Sequence, residues 1–187
     1  VQECVRVATK TTPKVHMGTL TGGEGREAYA KNPVILLPMG SHEDQGPHAP
    51  MGGYLLAEKI AELAALRATE LGTPTYVAPV LPFGGADWFA PMIGGIAITQ
   101  ATLTSVITDM VESLHRNGLT RIVVINGHGG NVGPIAEVAR RLYEKDRTIL
   151  PSLYLWRIGY GLLPGLIGAE KARAVSGASV QGATGPR

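Results

Sequence analysis

The sequence has little cysteine, little net charge and no long apolar run, and each scarcity excludes a class of protein. Cys4 is the only cysteine among 187 residues, which excludes an intrachain disulfide framework and a cysteine-based zinc site. A reducing, cytoplasmic location is therefore expected. No apolar run approaches the length that crosses a membrane. The formal net charge is only +2 and no basic block is present, which argues against nucleic acid as a partner.

Several catalytic motifs are also missing. The chain contains no GxSxG nucleophile elbow, no phosphate-binding P-loop and no GxGxxG placed after a strand. Its 44% hydrophobic and 17% charged composition is typical of a globular protein. The length suits one domain with a substantial core. We expect a single domain over residues 1–187, with about 1–16 and 176–187 peripheral.

Apolar residues along the chain alternate between strand-like runs and helical spacing. Continuous apolar runs predict strands at 32–40, 75–83, 121–126 and 149–156. Helical periodicity, with Gly72 and Gly118 as stops, predicts helices at 54–72, 99–118 and 132–146, and short helices near 25–30 and 170–175. This alternation is typical of a parallel α/β sheet covered by helices on both faces.

The first long helix, 54–72, carries large apolar side chains at helical spacing. They are Leu55, Leu56, Ile60, Leu63 and Leu66.

Two histidine-bearing loops follow predicted strands. "GSHEDQGPH" follows the first strand and "NGHGGN" follows the third. Ligands of parallel sheets bind beyond the carboxyl ends of the strands, so we expect the two loops to converge at one rim. In the second loop, glycines flank His128, and Asn131 is placed to cap the next helix. The alternative is a tight strand-to-helix turn with an incidental histidine.

The side chains of the first loop suit metal chemistry. Glu43 can bind a divalent ion or act as a general base, and His42 and His48 can each offer a neutral ring nitrogen. Together with His128 they indicate a metal-assisted hydrolase, although a solvated loop is the alternative for this segment. A third loop, "GGADWFAP", places Asp87 and Trp88 at the same rim as candidate substrate contacts. Trp88 could instead fill a core edge or a subunit contact.

Two blocks of this chain resemble the signature blocks of the creatininase family. They read "VILLPMGSHEDQGPHAPMG" and "GLTRIVVINGHGGN", and "PVLPFGG…IGGIAIT" between them is similar to the family's middle segment. The resemblance implies a three-layer α/β sandwich with a central, mostly parallel sheet. It also implies one or two zinc or manganese ions per chain, hydrolysis of a non-peptide C–N bond in a small cyclic or linear amide, and a homo-oligomer, commonly a hexamer.

The resemblance carries over residue by residue, with gaps. It implies that Glu43 and His128 are metal ligands and catalytic residues, and that His48 matches a later histidine of the first block. Gln45 stands where the family has a ligating histidine, and Tyr54 stands where it has a bridging aspartate. Gly130 stands where creatininase itself has a glutamate. His42 and Asp44 are additions that we keep as candidate ligands.

The family pattern also includes a later segment with a further acidic residue. Here the corresponding residues read "SGASVQGATGPR", without an acidic side chain. Three readings stay open: an incomplete chain, a site completed by another subunit of a homo- or hetero-oligomer, or a decayed site.

The sequence therefore predicts a metal-dependent amidohydrolase. Asp87, Trp88, Asn131 and Trp156 are the predicted pocket residues. The alternative is a catalytically weakened family member that serves as a structural or regulatory subunit. A third possibility is a small-molecule binding module that holds an anion at the "NGHGGN" helix terminus.

Overall fold

The computed structural model describes residues 13–47, 49–85 and 91–174. The four strands are β1 (Val34–Met39), β2 (Thr75–Val77), β3 (Ile122–Asn126) and β4 (Ser152–Tyr154). The five helices are α1 (Gly22–Tyr29), α2 (Gly53–Glu70), α3 (Gln100–Arg116), α4 (Val132–Asp146) and α5 (Leu155–Ile167), and short 3-10 turns cover Met17–Thr19 and Gly129–Asn131. Residues 169–174 are also helical.

The four strands form one sheet in the order β2-β1-β3-β4, and every pairing is parallel. β1 is central and pairs with β3 from Ile35–Ile122 to Met39–Asn126. Five of its six residues are buried, because helices cover both faces of the sheet. The predicted parallel α/β architecture is confirmed.

Two helical layers enclose the sheet. On one face, Leu103 and Ile107 of α3 and Val138 of α4 pack against alternate strand residues such as Ile35 and Val124. On the other face, α2 packs against the intervening strand residues, and α5 contributes Leu155 at the edge. The protein is thus a three-layer sandwich with its site-bearing loops at the carboxyl ends of the strands.

The α2 prediction is correct in extent, and the helix packs on the sheet through its small residues. The buried residues of α2 are Gly53, Ala57, Ala61 and Ala65, whereas Leu55, Leu56 and Leu63 are 52%, 43% and 55% exposed. Alanines spaced four residues apart form a smooth stripe that lets the helix lie close to the sheet. Small side chains, rather than leucines, therefore make this contact.

The carboxyl part of the described chain holds more helix than predicted. α5 occupies Leu155–Ile167 and includes Trp156, which was assigned to a strand, and Pro164. β2 and β4 each have three residues and are shorter than predicted. No residue of α5 is buried. Within the described ranges, no helix combines the length and the apolar character needed to span a bilayer.

Candidate functional site

The loops after β1 and β3 meet, as predicted. Glu43 Oε1 lies 3.0 Å from Nδ1 of His128. The imidazole is only 4% exposed and the carboxylate 16%, so the pair is shielded from solvent. The other ring nitrogen of His128 lies 3.4 Å from the carbonyl oxygen of Gly85, which belongs to the loop after β2. Three strand-end loops therefore surround one imidazole.

The Glu43 carboxylate is held in its ionised form. Burial alone would raise its pKa, but the hydrogen bond and positive charge of His128, with help from Ser41 and Gln45, hold the pKa of Glu43 below its usual value. Gln45 donates its amide N–H to the same Oε1 atom at 3.1 Å. The Ser41 hydroxyl is close enough to lower this pKa, yet it is buried without hydrogen-bond geometry to any partner among the described residues.

The side chain of Asn131 connects the three loops through hydrogen bonds. It is fully buried, and its Oδ1 accepts the N–H of Gly85 at 3.0 Å. Its Nδ2 donates to the Gly40 carbonyl at 3.0 Å and to Asn126 Oδ1 at 3.3 Å. The prediction that Asn131 caps α4 is wrong, because its side chain makes no capping bond. The buried amide instead links the loops that follow β1 and β2 to the last residue of β3.

Gly84 is required by the close approach of two loops. A Cβ atom at Gly84 would lie 2.6 Å from Cδ2 of His128 and 2.9 Å from the Gly40 carbonyl oxygen. These separations are too short for any side chain. Glycine at this position therefore lets the loop after β2 lie directly against the imidazole. The remaining cavity beside the Glu43–His128 pair measures about 10 Å³, about the room that one water needs.

The other predicted site residues are placed differently. His42 borders the small cavity and its ring lies 6.2 Å from the Tyr54 ring. Asp44 is exposed and accepts the N–H of Gly46 at 2.7 Å, so it turns back on its own loop. Trp156 donates its indole N–H to the Gly127 carbonyl at 2.8 Å and so holds the residue that precedes His128. His48, Asp87 and Trp88 lie outside the described residues.

Glu43 and His128 carry donor atoms of the types that can bind a divalent ion. Their 3.0 Å separation is that of a direct hydrogen bond. No group of three or more His, Cys, Asp or Glu side chains that could hold a metal occurs within 13–47, 49–85 and 91–174.

The signal for these residues was partly readable in the sequence. The histidine after β3 and the glutamate after β1 stand out by residue type. The role of Asn131 was not readable, because a buried amide and a helix cap have the same local pattern. Gly84 was visible only as one glycine of a glycine-rich loop.

Known proteins are similar to this chain in sequence. A mycofactocin precursor peptide peptidase from Mycolicibacterium smegmatis is 32% identical over 135 residues, which are 70% of this chain and 52% of that protein. A creatinine amidohydrolase from Pseudomonas putida is 32% identical over 127 residues, 63% of this chain and 46% of that protein. The chain therefore spans about half the length of these curated relatives.

Solved creatininase structures superpose on the same core. A manganese form matches with a TM-score of 0.67 and 26% identity, covering 78% of this chain and 60% of that one. A variant of the Zn–Zn type matches with a TM-score of 0.68 and 26% identity, covering 84% and 65%. Residues 18–178 match the family model described as creatininase, creatinine amidohydrolase. On this match the chain belongs to the creatininase family.

Proposed function

We propose that this chain is the metal-binding part of an amidohydrolase that cleaves a C–N bond in a small cyclic or linear amide. The observation that carries the proposal is the shielded Glu43–His128 pair, 3.0 Å apart, at the strand ends where ligands of parallel sheets bind. The similarity to a creatinine amidohydrolase and to manganese and zinc forms of creatininase supports it. The similarity to a peptide peptidase leaves the substrate open to short peptides as well.

The residues of this chain would share the work as follows. Glu43 and His128 would hold a zinc or manganese ion, with His42, Asp44 or His48 as the candidate further ligand. When bound, the ion supplies Lewis-acid chemistry, which polarises an amide carbonyl and makes water a stronger nucleophile. The depressed pKa of Glu43 keeps its carboxylate negatively charged at neutral pH, which is the form that binds a cation. Asn131 and Trp156 keep the loops that carry these groups in place.

A second candidate function is a catalytically weakened subunit with a structural or regulatory role in an oligomer. The observation that favours it is the Gln45 amide, which occupies Glu43 Oε1 at 3.1 Å. A neutral amide binds divalent ions more weakly than the histidine that the family resemblance implies at this position. Tyr54 likewise supplies no carboxylate.

The metal content of the full chain, purified without chelators, distinguishes these functions. We expect at least about one zinc or manganese ion per chain in the wild type. His128→Ala should lose that ion, because the two protein ligands that remain are too few to bind it tightly. The matched control is His115→Ala, a histidine in the last turn of α3, which should keep the metal. A wild-type content near zero after incubation with both ions would refute the hydrolase proposal and favour the subunit.

If metal is present, hydrolysis of cyclic amides, formamides, ureides and short peptides should be screened by amine release. Loss of both metal and turnover in His128→Ala, with both retained in His115→Ala, is the expected result. Unchanged turnover in His128→Ala would contradict the assignment of His128.

A further inference from the structure

A second cavity lies on the other side of the turn that carries His128. It measures about 370 Å³ and opens beyond the carboxyl ends of β3 and β4, between α4 and α5. None of the residues around it borders the small cavity beside the Glu43–His128 pair. Its volume is within the range that small-molecule sites occupy. The function proposed above makes no use of it.

The charge of this cavity comes from one side chain. Arg157, near the start of α5, is the one charged residue among the described residues that line it. Arg157 is exposed and forms no ion pair with any described residue. A guanidinium without a carboxylate partner, beside a concave surface, is suited to a planar anion.

A buried amide adds a second, independent donor. Asn126, the last residue of β3, is 1% exposed and borders the cavity. Its Oδ1 already accepts N–H groups from His128 and Asn131. Its Nδ2 donates no hydrogen bond within the described part of the chain. An amide donor that is buried and unused favours an acceptor atom from a ligand.

The start of α4 adds to the same preference. Val132, the first residue of this 15-residue helix, lines the cavity. No side chain caps the helix, since Asn131 makes no capping bond. The N–H of Val132 is already bonded to the Gly129 carbonyl, so the helix dipole alone favours negative charge at this end. The remaining walls are largely apolar and include Ile135 and Ile158.

We infer that this cavity is a binding site for a small organic carboxylate with an apolar body, held by Arg157 and Asn126 and packed against Ile135 and Ile158. The carboxylate could belong to a free acid or to the carboxyl end of a short peptide. The site is separate from the metal-binding pair, and binding to it is measured without turnover.

The test is a calorimetric titration of the full chain with 3-phenylpropionate, against 3-phenylpropionamide as the uncharged control. We expect the acid to bind and the amide to bind at least about tenfold more weakly, because hydrogen bonds to charged groups are the stronger ones. Arg157→Gln should weaken the acid by about tenfold or more, whereas Arg116→Gln, an exposed arginine at the end of α3, should not.

A second variant keeps the test independent of Arg157. Ile158→Asp places a negative charge in the cavity wall and should abolish binding of the acid, while Ile149→Asp, at a position that is 75% exposed, should leave it unchanged.

A tripeptide ending in phenylalanine, with a free or an amidated carboxyl end, distinguishes a peptide terminus from a free acid as the source of the carboxylate. Equal binding of acid and amide, no binding of the acid at millimolar concentration, or unchanged affinity in Arg157→Gln would overturn the inference.

Discussion

Replacement of Asn131 by alanine tests whether one buried amide holds the site together. Asn131 is fully buried and makes three hydrogen bonds, to Gly85, Gly40 and Asn126. Its removal leaves the Gly85 N–H and the Gly40 carbonyl without this partner, and each buried polar group left unpaired costs about 1–3 kcal/mol. We expect the free energy of unfolding to fall by about 3 kcal/mol.

The measurement is equilibrium unfolding in urea. With a slope of about 2 kcal/mol per molar urea, the midpoint should fall by about 1.5 M. The matched control is Asn117→Ala, because the Asn117 amide donates one exposed hydrogen bond to the Ser113 carbonyl, and its midpoint should shift by no more than about 0.5 M. If Asn131→Ala loses no more stability than the control, the loops do not depend on this amide and the reasoning fails.

Two further predictions concern α2 and α1. Ala61→Leu should destabilise the protein by about 1–3 kcal/mol, because Ala61 is fully buried against the sheet. Leu63→Ala, at a 55% exposed position, should change the free energy of unfolding by about 0.5 kcal/mol or less. Equal effects of the two variants in urea unfolding would contradict the orientation of α2. Hydrogen bonds from Lys14, which has the largest effect, and from Thr21 lower the pKa of Glu24 from 4.5 to about 2. The stability that the Glu24 carboxylate contributes is therefore present at neutral pH and is lost as the pH falls from 4.5 toward 2. An NMR titration of the Glu24 carboxyl should show this low pKa in the wild type and a higher one in Lys14→Met, and an unchanged pKa would show that Lys14 is not the cause.

The elements that were predicted correctly from the sequence are those whose apolar pattern fits only one type of secondary structure. β1 and β3 are continuous apolar runs, and α3 and α4 carry apolar residues at helical spacing, so type and extent were both readable. The meeting of Glu43 and His128 followed from these strands, because the carboxyl ends of parallel strands lie at one edge of a sheet.

The parts that sequence reasoning missed depend on tertiary contacts. α2 has an alanine stripe that is buried and several exposed leucines, and the apolar spacing in the sequence does not tell which of them faces the sheet. α5 contains Gly159, Gly161 and Pro164, which lower helix propensity, so its local signal was that of a loop. Local helix propensity does not include the stability that a segment gains by packing against neighbouring elements.

The strand order has a consequence for how the chain reaches its folded state. β1 is synthesised before its partners, which lie far along the chain, since Ile35 pairs with Ile122 and Val34 with Thr75. Parallel strands cannot be joined by a tight turn, so each strand pairs with a distant segment of the chain. Contacts between distant segments slow folding. During synthesis, the apolar run at 34–39 must therefore wait for residues up to 126 before its edges are closed. Over that interval its apolar side chains and unpaired strand edge are exposed to aggregation and to chaperone binding.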